Sequence, residues 1–410
     1  MKPVNTNKIY TTNNYQPVKT EKAEANNDTK VQKEFNLNND PVSQNTGKFI
    51  QAQAENKRKV LKDKCQACLL GGAIGDAVGR PIERVRIKDI YRRYGENGIQ
   101  DMATVGLRGR ITDDTQMTIF TTDGLIKSAL SGKTESEEPD YDIVYDSYKD
   151  WYSTQVEGLK DHPDKINKGW VGELDELYYP GGAGPTCLGS LKNGVMGTLD
   201  APVNNSKSCG AVMRMAPIGL MYSQNPELAF DIGMKCGVMT HGNPTAYLPA
   251  GVFACIVAHV TRGEDIPTAI QKSLDTLKTK ENSEDLHKLL SRAVELSQND
   301  YLKPIEAIEA LGKGWLGDEA MAISIYCALK SPDNFKDAIL MAVNHDGDSD
   351  STGAIVGNIL GAAHGSSIIP EDWGETVELS DELKALAEDL NNPNGAKLEA
   401  YKARILDENN

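Results

Sequence analysis

Two stretches of the sequence carry glycine at every fourth position: Gly71, Gly75 and Gly79 in one, and Gly353, Gly357, Gly361 and Gly365 in the other. On a helix, a spacing of four places each row on one face. Glycine inside a helix costs up to about 1 kcal/mol per position relative to alanine, so something must offset it. The simplest offset is an approach of two backbones closer than side chains permit. Both stretches are therefore expected to be helices at the centre of a helical bundle. The glycines alone leave loose packing without functional meaning open.

The rest of the chain agrees with a helical body. From Val60 the apolar residues recur with helical period through Leu61, Cys65, Cys68 and Leu69, until Pro81 stops the run. Further amphipathic stretches lie near 114–130, 141–152, 209–221, 227–239, 245–261, 284–297, 304–311, 319–329, 334–343 and 351–363. Strand-like alternation is scarce. The expected fold is an all-α orthogonal bundle. Residues 1–56 differ, with eleven asparagines, isolated apolar residues, no sustained period, and seven lysines against six acids. This segment is expected to be an arm, disordered when free, with Val31, Phe35 and Leu37 as candidate anchors for a partner. The expected division is thus arm 1–56 and catalytic domain 57–410.

Charge and cysteine usage exclude several classes. A formal net charge of -15 argues against a protein that tracks a nucleic-acid backbone, which needs a basic footprint. The seven cysteines are odd in number and scattered, as suits reduced thiols, and Cys65 and Cys68 read as small core residues of a helix. Met1 to Asn14 has no apolar core of a leader peptide, and no stretch reaches the roughly 18 to 20 apolar residues of a membrane span. A cytoplasmic protein without membrane or nucleic-acid partners is expected.

The strongest chemical signal is a pair of acidic clusters, Thr112–Thr115 (TDDT) and Asp346–Thr352 (DGDSDST), each directly ahead of an apolar periodic segment. Carboxylates there sit at helix N-termini, where exposed N–H groups and the dipole favour the ionised form, and Thr112 or Ser351 can serve as the cap. Capping explains one Asp per helix, but adjacent anions repel. A hard divalent cation relieves that repulsion, since Mg²⁺ and Mn²⁺ take carboxylate and hydroxyl oxygens. Asp113, Asp114, Asp348 and Asp350 would balance two such ions. Asp348 and Asp350 diverge on a helix, so to act together they are expected in the turn before it. A calcium loop is the nearest competitor, but the glutamate at its twelfth position is missing. Spacing leaves capping and two-metal readings open, and does not show that the clusters meet.

The order of motifs adds a resemblance. Gly72–Glu83 (GAIGDAVGRPIE), Thr112–Thr115, Ser206–Arg214 (SKSCGAVMR), Thr240–Pro244 (THGNP) and His345–Gly353 (HDGDSDSTG) together resemble the ADP-ribosylglycohydrolase family over about residues 60 to 370. The resemblance implies an all-α fold with a centre of two Mg²⁺ or Mn²⁺ ions, held by Thr112, Asp113 and Asp114 on one side and Asp348, Asp350 and Ser351 on the other. Family members commonly have Thr where Ser351 stands and Gly where Asp346 stands. Glu83 matches a family acidic residue on a mobile segment over the site. Gly182 and Gly184, in Gly181–Thr186, match a backbone nest for a diphosphate. His241 matches a contact to the distal ribose or diphosphate, and Ser206 and Cys209 match ribose and adenosine contacts. His345 is expected to be structural, and Arg214 to cap or pair.

The activity implied is hydrolysis of the bond between ADP-ribose and a modified protein side chain, with arginine as the expected acceptor. Asp113 or Asp350 is expected to take a proton from the attacking water, and Glu83 or a metal-held water to protonate the leaving group. Other ADP-ribose linkages, a two-metal phosphohydrolase, and an immunity factor that binds an ADP-ribosyltransferase toxin through its arm are the competing readings.

Overall fold

The computed structural model describes residues 41–156 and 170–391, without the side chains of 41–50. The chain divides into two units, Met1–Gln53 and Ala54–Asn410, and the description that follows concerns the second. Val31, Phe35 and Leu37 lie outside the described residues. Among the described residues, sixteen α-helices order the fold. They are α1 (Pro41–Gly79), α2 (Ile87–Tyr94), α3 (Asp113–Leu130), α4 (Tyr141–Gln155), α5 (Pro185–Lys192), α6 (Ala216–Met221), α7 (Pro226–Val238) and α8 (Pro244–Arg262), then α9 (Ile266–Leu277), α10 (Glu284–Ser297), α11 (Pro304–Leu311), α12 (Gly317–Lys330), α13 (Phe335–Val343), α14 (Ser349–His364), α15 (Glu371–Thr376) and α16 (Ser380–Asn391). Among the described residues, the only sheet pairs Thr104–Val105 with Arg108–Gly109. The all-α expectation holds.

Two features differ from the expectation, and a third is sharpened. Residues 51–56 of the expected arm lie in α1. Residues 51–60 are exposed all round and burial begins at Leu61, so their polarity reflects a solvated helix, which needs no apolar stripe. The single helix expected over 209–221 is a short 3-10 turn at Cys209–Ala211 followed by α6, in whose first turn Pro217 stands. Proline has no N–H to continue a helix through this position. Finally, α8 does reach the length and hydropathy of a membrane span, contrary to expectation, but 83% of its apolar window is buried inside the protein. It is the core helix against which α6, α7, α9, α12 and α14 pack. Asn243 caps its start and Gly263, at φ 109°, ends it.

The glycine rows face each other. A methyl at Gly353 would lie 2.9 Å from the carbonyl carbon of Gly75, and one at Gly75 would lie 2.8 Å from the amide nitrogen of Ala354. At the end of the row, a methyl at Gly79 would lie 2.6 Å from the Cα of Asp350. α1 and α14 therefore touch backbone to backbone, and Asn358 fixes their register by donating to the Cys68 carbonyl at 2.7 Å. The last member, Gly365, ends α14 at φ 77° rather than continuing the face. All seven cysteines are free and buried.

Candidate active site

The helix contact carries α14 into the site by its N-terminus, opposite that of α3. Thr112 caps α3, its hydroxyl accepting from the Asp114 amide at 3.2 Å. Asp113 and Asp114 fill the first turn and are buried. Asp348 occupies the cap position of α14 without a side-chain bond to it. Ser351 lies inside the first turn, so of the two expected caps only Thr112 serves. Asp350 is also inside the first turn, so the expectation that both acids precede the helix fails for it. They nevertheless converge, because Asp348 has left helical geometry at φ -87°, ψ 75°. Asp348, Asp350 and Glu83 each offer an oxygen within 4.8 Å of the others'.

Asp113, Asp114, Asp348, Asp350, Ser351 and Glu83 line one cavity of about 170 Å³. Burial raises all five carboxyls, and the acids raise one another: Asp113 to about 8, with Asp76 and Asp348 the main neighbours, and Asp114 and Asp350 well above the usual carboxylate range. Asp348 and Glu83 are raised by burial as well. Among the described residues, the only cation lining the cavity is Arg84. Asp114 accepts from the Thr112 hydroxyl through Oδ2 at 3.2 Å, while its buried Oδ1 has no donor. So dense a set of buried oxygens, short of positive charge and with an acceptor orphaned, fits hard divalent cations.

Asp76 has a role that its sequence context did not reveal. Fully buried in α1, it accepts from the backbone N–H of Thr112 at 2.9 Å and of Thr115 at 3.2 Å, and from the Thr115 hydroxyl. It thus caps α3 from a neighbouring helix and fixes where Asp113 and Asp114 sit. Burial pushes it up to about 6 against these bonds. The one available signal was a lone carboxylate in an apolar, glycine-rich helix.

The other wall is built from backbone and small polar groups. Gly182 adopts φ 87°, and a methyl there would be 3.8 Å from Asp113 Oδ1. The preceding Gly181 carbonyl accepts from the Asp113 amide at 2.9 Å. Gly184, Pro185 and Thr186 line the cavity as the start of α5, placing a positive helix end there. Ser206 stands behind the wall, 2.9 Å from the Thr186 hydroxyl and 3.3 Å from that of Ser208. Ser208, not singled out from sequence, lines the cavity itself. Cys209 donates its thiol to Asp348 Oδ2 at 2.6 Å.

His241 also lines the cavity, and its bonds set its tautomer. Arg214, wholly buried, can only donate, and gives a bond to the Thr240 hydroxyl at 2.8 Å. Thr240 then donates to His241 Nδ1 at 2.8 Å, leaving Nε2 to donate to the Ser208 hydroxyl at 2.9 Å. Burial, then the Arg214 charge, pushes His241 down to about 3, so a neutral ring with one proton is consistent. His345 is buried away from the cavity against the Thr352 hydroxyl at 3.0 Å, as expected of a structural histidine. Asp346 accepts from the Ile87 amide, tying the loop before α14 to the start of α2. A larger cavity, about 610 Å³, lies among α7, α8 and α9. Its Arg262 and Lys272 pair with Glu264, and Lys280 pairs with Asp231, leaving the smaller, charge-unbalanced cavity as the candidate site.

A model of the family described as ADP-ribosylglycohydrolase matches residues 57–398. The ADP-ribosyl-[dinitrogen reductase] glycohydrolase of Rhodospirillum rubrum is 23% identical over 326 residues, 78% of this chain and 92% of that protein. The ADP-ribosylarginine hydrolase Tri1 of Pseudomonas putida is 25% identical over 334 residues, 80% of this chain and 78% of that one. Human ADP-ribosylhydrolase ARH3 is 24% identical over 355 residues, 79% of this chain and 92% of that one. A solved structure titled ADP-ribosylglycohydrolase-related protein complex shares the fold, with a TM-score of 0.55 at 23% identity, covering 82% of this chain and 100% of that chain. The family is metal-dependent, typically on Mg²⁺ or Mn²⁺, and Glu83, Asp348 and Asp350 stand close enough together to hold a metal ion. The chain belongs to the ADP-ribosylglycohydrolase family.

Proposed function

We propose that the protein removes ADP-ribose from arginine side chains of modified proteins, with a pair of Mg²⁺ or Mn²⁺ ions held by Thr112, Asp113 and Asp114 from α3 and Asp348, Asp350 and Ser351 from α14. The observation that carries this reading is the meeting of the two acidic helix starts at one cavity with Glu83. Bound there, divalent ions supply Lewis-acid chemistry, orienting ribose hydroxyls and making water a stronger nucleophile.

The chain's own groups do the rest. Asp113 or Asp350 takes the proton of the attacking water, and the surrounding carboxylates stabilise positive charge that develops on the ribosyl ring as the bond breaks. Glu83, which lines the cavity beside Asp113 and Asp350, passes a proton taken from the attacking water on to the leaving guanidine. Gly182 and the start of α5 receive the diphosphate through backbone N–H groups, while Ser208, oriented by His241, and Cys209 bind sugar hydroxyls. Similarity to the Tri1 hydrolase supports the arginine linkage. The test is incubation with arginine-ADP-ribosylated protein, with and without Mg²⁺, alongside serine-linked and O-acetyl-ADP-ribose substrates. Metal-dependent release of free ADP-ribose from the arginine substrate is expected. Release of inorganic phosphate instead would make the protein a phosphohydrolase.

We further propose, from the apolar Val31, Phe35 and Leu37 within the otherwise polar residues 1–56, a second role for that segment: binding an ADP-ribosyltransferase toxin in the cytoplasm while the body reverses modification already made. A protein lacking residues 1–56 should keep its hydrolase activity and lose toxin affinity. Equal toxin affinity with and without the segment would refute that role.

A further inference from the structure

Among the described residues, Arg84 is one of three non-glycine residues at positive φ, 62°, a conformation that L side chains disfavour. Its amide donates to the Gly347 carbonyl at 3.1 Å, which ties the residue to the loop before α14. The side chain that results lies at the mouth of the active site. Its Nε donates to Glu83 Oε1 at 2.8 Å, and its Cζ stands over the Trp315 ring, 5.7 Å from the centroid. Glu83, Arg84 and Trp315 line the same cavity as Asp113 and Asp350. A carboxylate and an indole face are thus arranged around a guanidinium, and that guanidinium is the chain's own.

A carboxylate beside an aromatic face distinguishes a guanidinium from a hydroxyl or an ammonium. The planar, weakly hydrated cation stacks through its face while its N–H groups bond in the plane. The two halves of this arrangement are not equally fixed. Trp315 belongs to the wall, its carbonyl accepting from the Cys209 amide at 3.1 Å and the nearby Gly317 amide donating to the Lys207 carbonyl at 2.9 Å. The Arg84 side chain is 65% exposed, and a pair that exposed contributes little.

We propose that Glu83 and Trp315 form the subsite for the acceptor guanidinium of an ADP-ribosylated arginine, and that Arg84 fills it until substrate displaces it. The inference rests on the arginine-linkage reading and deepens it. An arginine-linked substrate exchanges one guanidinium for another and leaves the Glu83–Trp315 pair satisfied. A serine-linked substrate brings no guanidinium and leaves Arg84 in place, so the Glu83–Trp315 pair distinguishes the linkages and Arg84 competes with the arginine-linked substrate alone.

Methylguanidine is the probe, titrated into the full-length wild-type protein, Arg84→Ala and the double variant Arg84→Ala/Trp315→Phe while tryptophan fluorescence is followed. Removal of the internal competitor should tighten methylguanidine binding about fivefold. The response should vanish with Trp315→Phe, and methylammonium should show no such gain. In kinetics, Arg84→Ala should lower KM for an ADP-ribosylarginine peptide by a similar factor and leave KM for an ADP-ribosylserine peptide unmoved. Methylguanidine affinity that is equal or weaker in Arg84→Ala overturns the inference. Absence of arginine-linkage cleavage by the wild type refutes the functional reading instead, and the two results are read in separate assays.

Discussion

Replacing Gly353 by alanine tests the link between the glycine rows and the site. The added methyl would lie 2.9 Å from the Gly75 carbonyl carbon and 2.9 Å from Val343 Cγ1. The first neighbour is backbone, so no change of rotamer relieves the contact and α1 and α14 must separate by several tenths of an ångström. Overpacking of this kind costs about 3 kcal/mol at the upper end of its usual range, and the better helix propensity of alanine returns about 1 kcal/mol. A net loss of about 2 kcal/mol, set against an unfolding entropy of about 0.7 kcal/mol/K for a body of this size, lowers Tm by about 3 °C. Activity should fall further than stability, because a methyl at Gly79 would lie 2.6 Å from the Cα of Asp350, and a helix that shifts there carries Asp350 away from Asp114. A misplacement approaching 1 Å reduces turnover by up to about a hundredfold. Thermal unfolding and ADP-ribose release are the assays, with Gly189→Ala as the control. Nothing lies within 4 Å of a methyl at Gly189, so that variant should be as stable as the wild type or more so. If Gly353→Ala kept wild-type Tm and turnover, the close contact of the two helices would have no bearing on the site.

Asp113→Ala and Asp350→Ala should each abolish hydrolysis and the rise in Tm on adding Mg²⁺ or Mn²⁺, with helical circular dichroism retained. Near wild-type turnover in either would make these acids simple caps. Glu83→Gln should reduce kcat more than it alters ADP-ribose affinity, which single-turnover kinetics and calorimetry separate; a change confined to affinity would remove Glu83 from proton transfer. Metal-free protein should lose stability as pH rises. Asp76 and Asp113 are raised to about 6 and about 8, so their contribution is full below about pH 4 and is lost as pH passes through those folded values. The Tm gain from added Mg²⁺ should therefore grow between about pH 5.5 and 8.5, and a gain independent of pH would show that the buried acids are not the ligands.

Much of the fold was legible because it is carried by repeated, local signals. The apolar periods of α3, α7, α8, α10 to α14, and the glycine rows, each involve many residues that agree with one another. The missed helices divide into two kinds: α9 buries Ile266, Ala269, Ile270, Leu274 and Leu277, and α16 buries Leu383, Leu386, Ala387 and Leu390, periods that were legible and were passed over, while the others lacked that redundancy. α2 has one buried residue, Ile90, and α5 is only Pro185–Lys192, too short for its period to stand out from the glycine-rich loop before it. Polar composition misled over 51–56 for the opposite reason, since a helix exposed on every side has no period to show.

The site separates along the same line, between groups announced by repetition and groups defined by a single neighbour. Two or three acids in succession at a helix start exceed what capping needs, so Asp113, Asp114, Asp348 and Asp350 declare themselves. Asp76, Ser208 and Trp315 stand alone in sequence, and each takes its meaning from a partner brought by the fold: the amides of Thr112 and Thr115, the ring of His241, the guanidinium of Arg84. Arg214 is the extreme case. A wholly buried guanidinium, over the Tyr148 ring at 4.3 Å, reaches the cavity through the Cys187 thiol and through Thr240, His241 and Ser208, where the charge acts by fixing where protons lie on neutral groups. Its position in sequence says only that a cation is present. The direction of three hydrogen bonds follows from that cation once the chain has closed around it, because a guanidinium donates and never accepts.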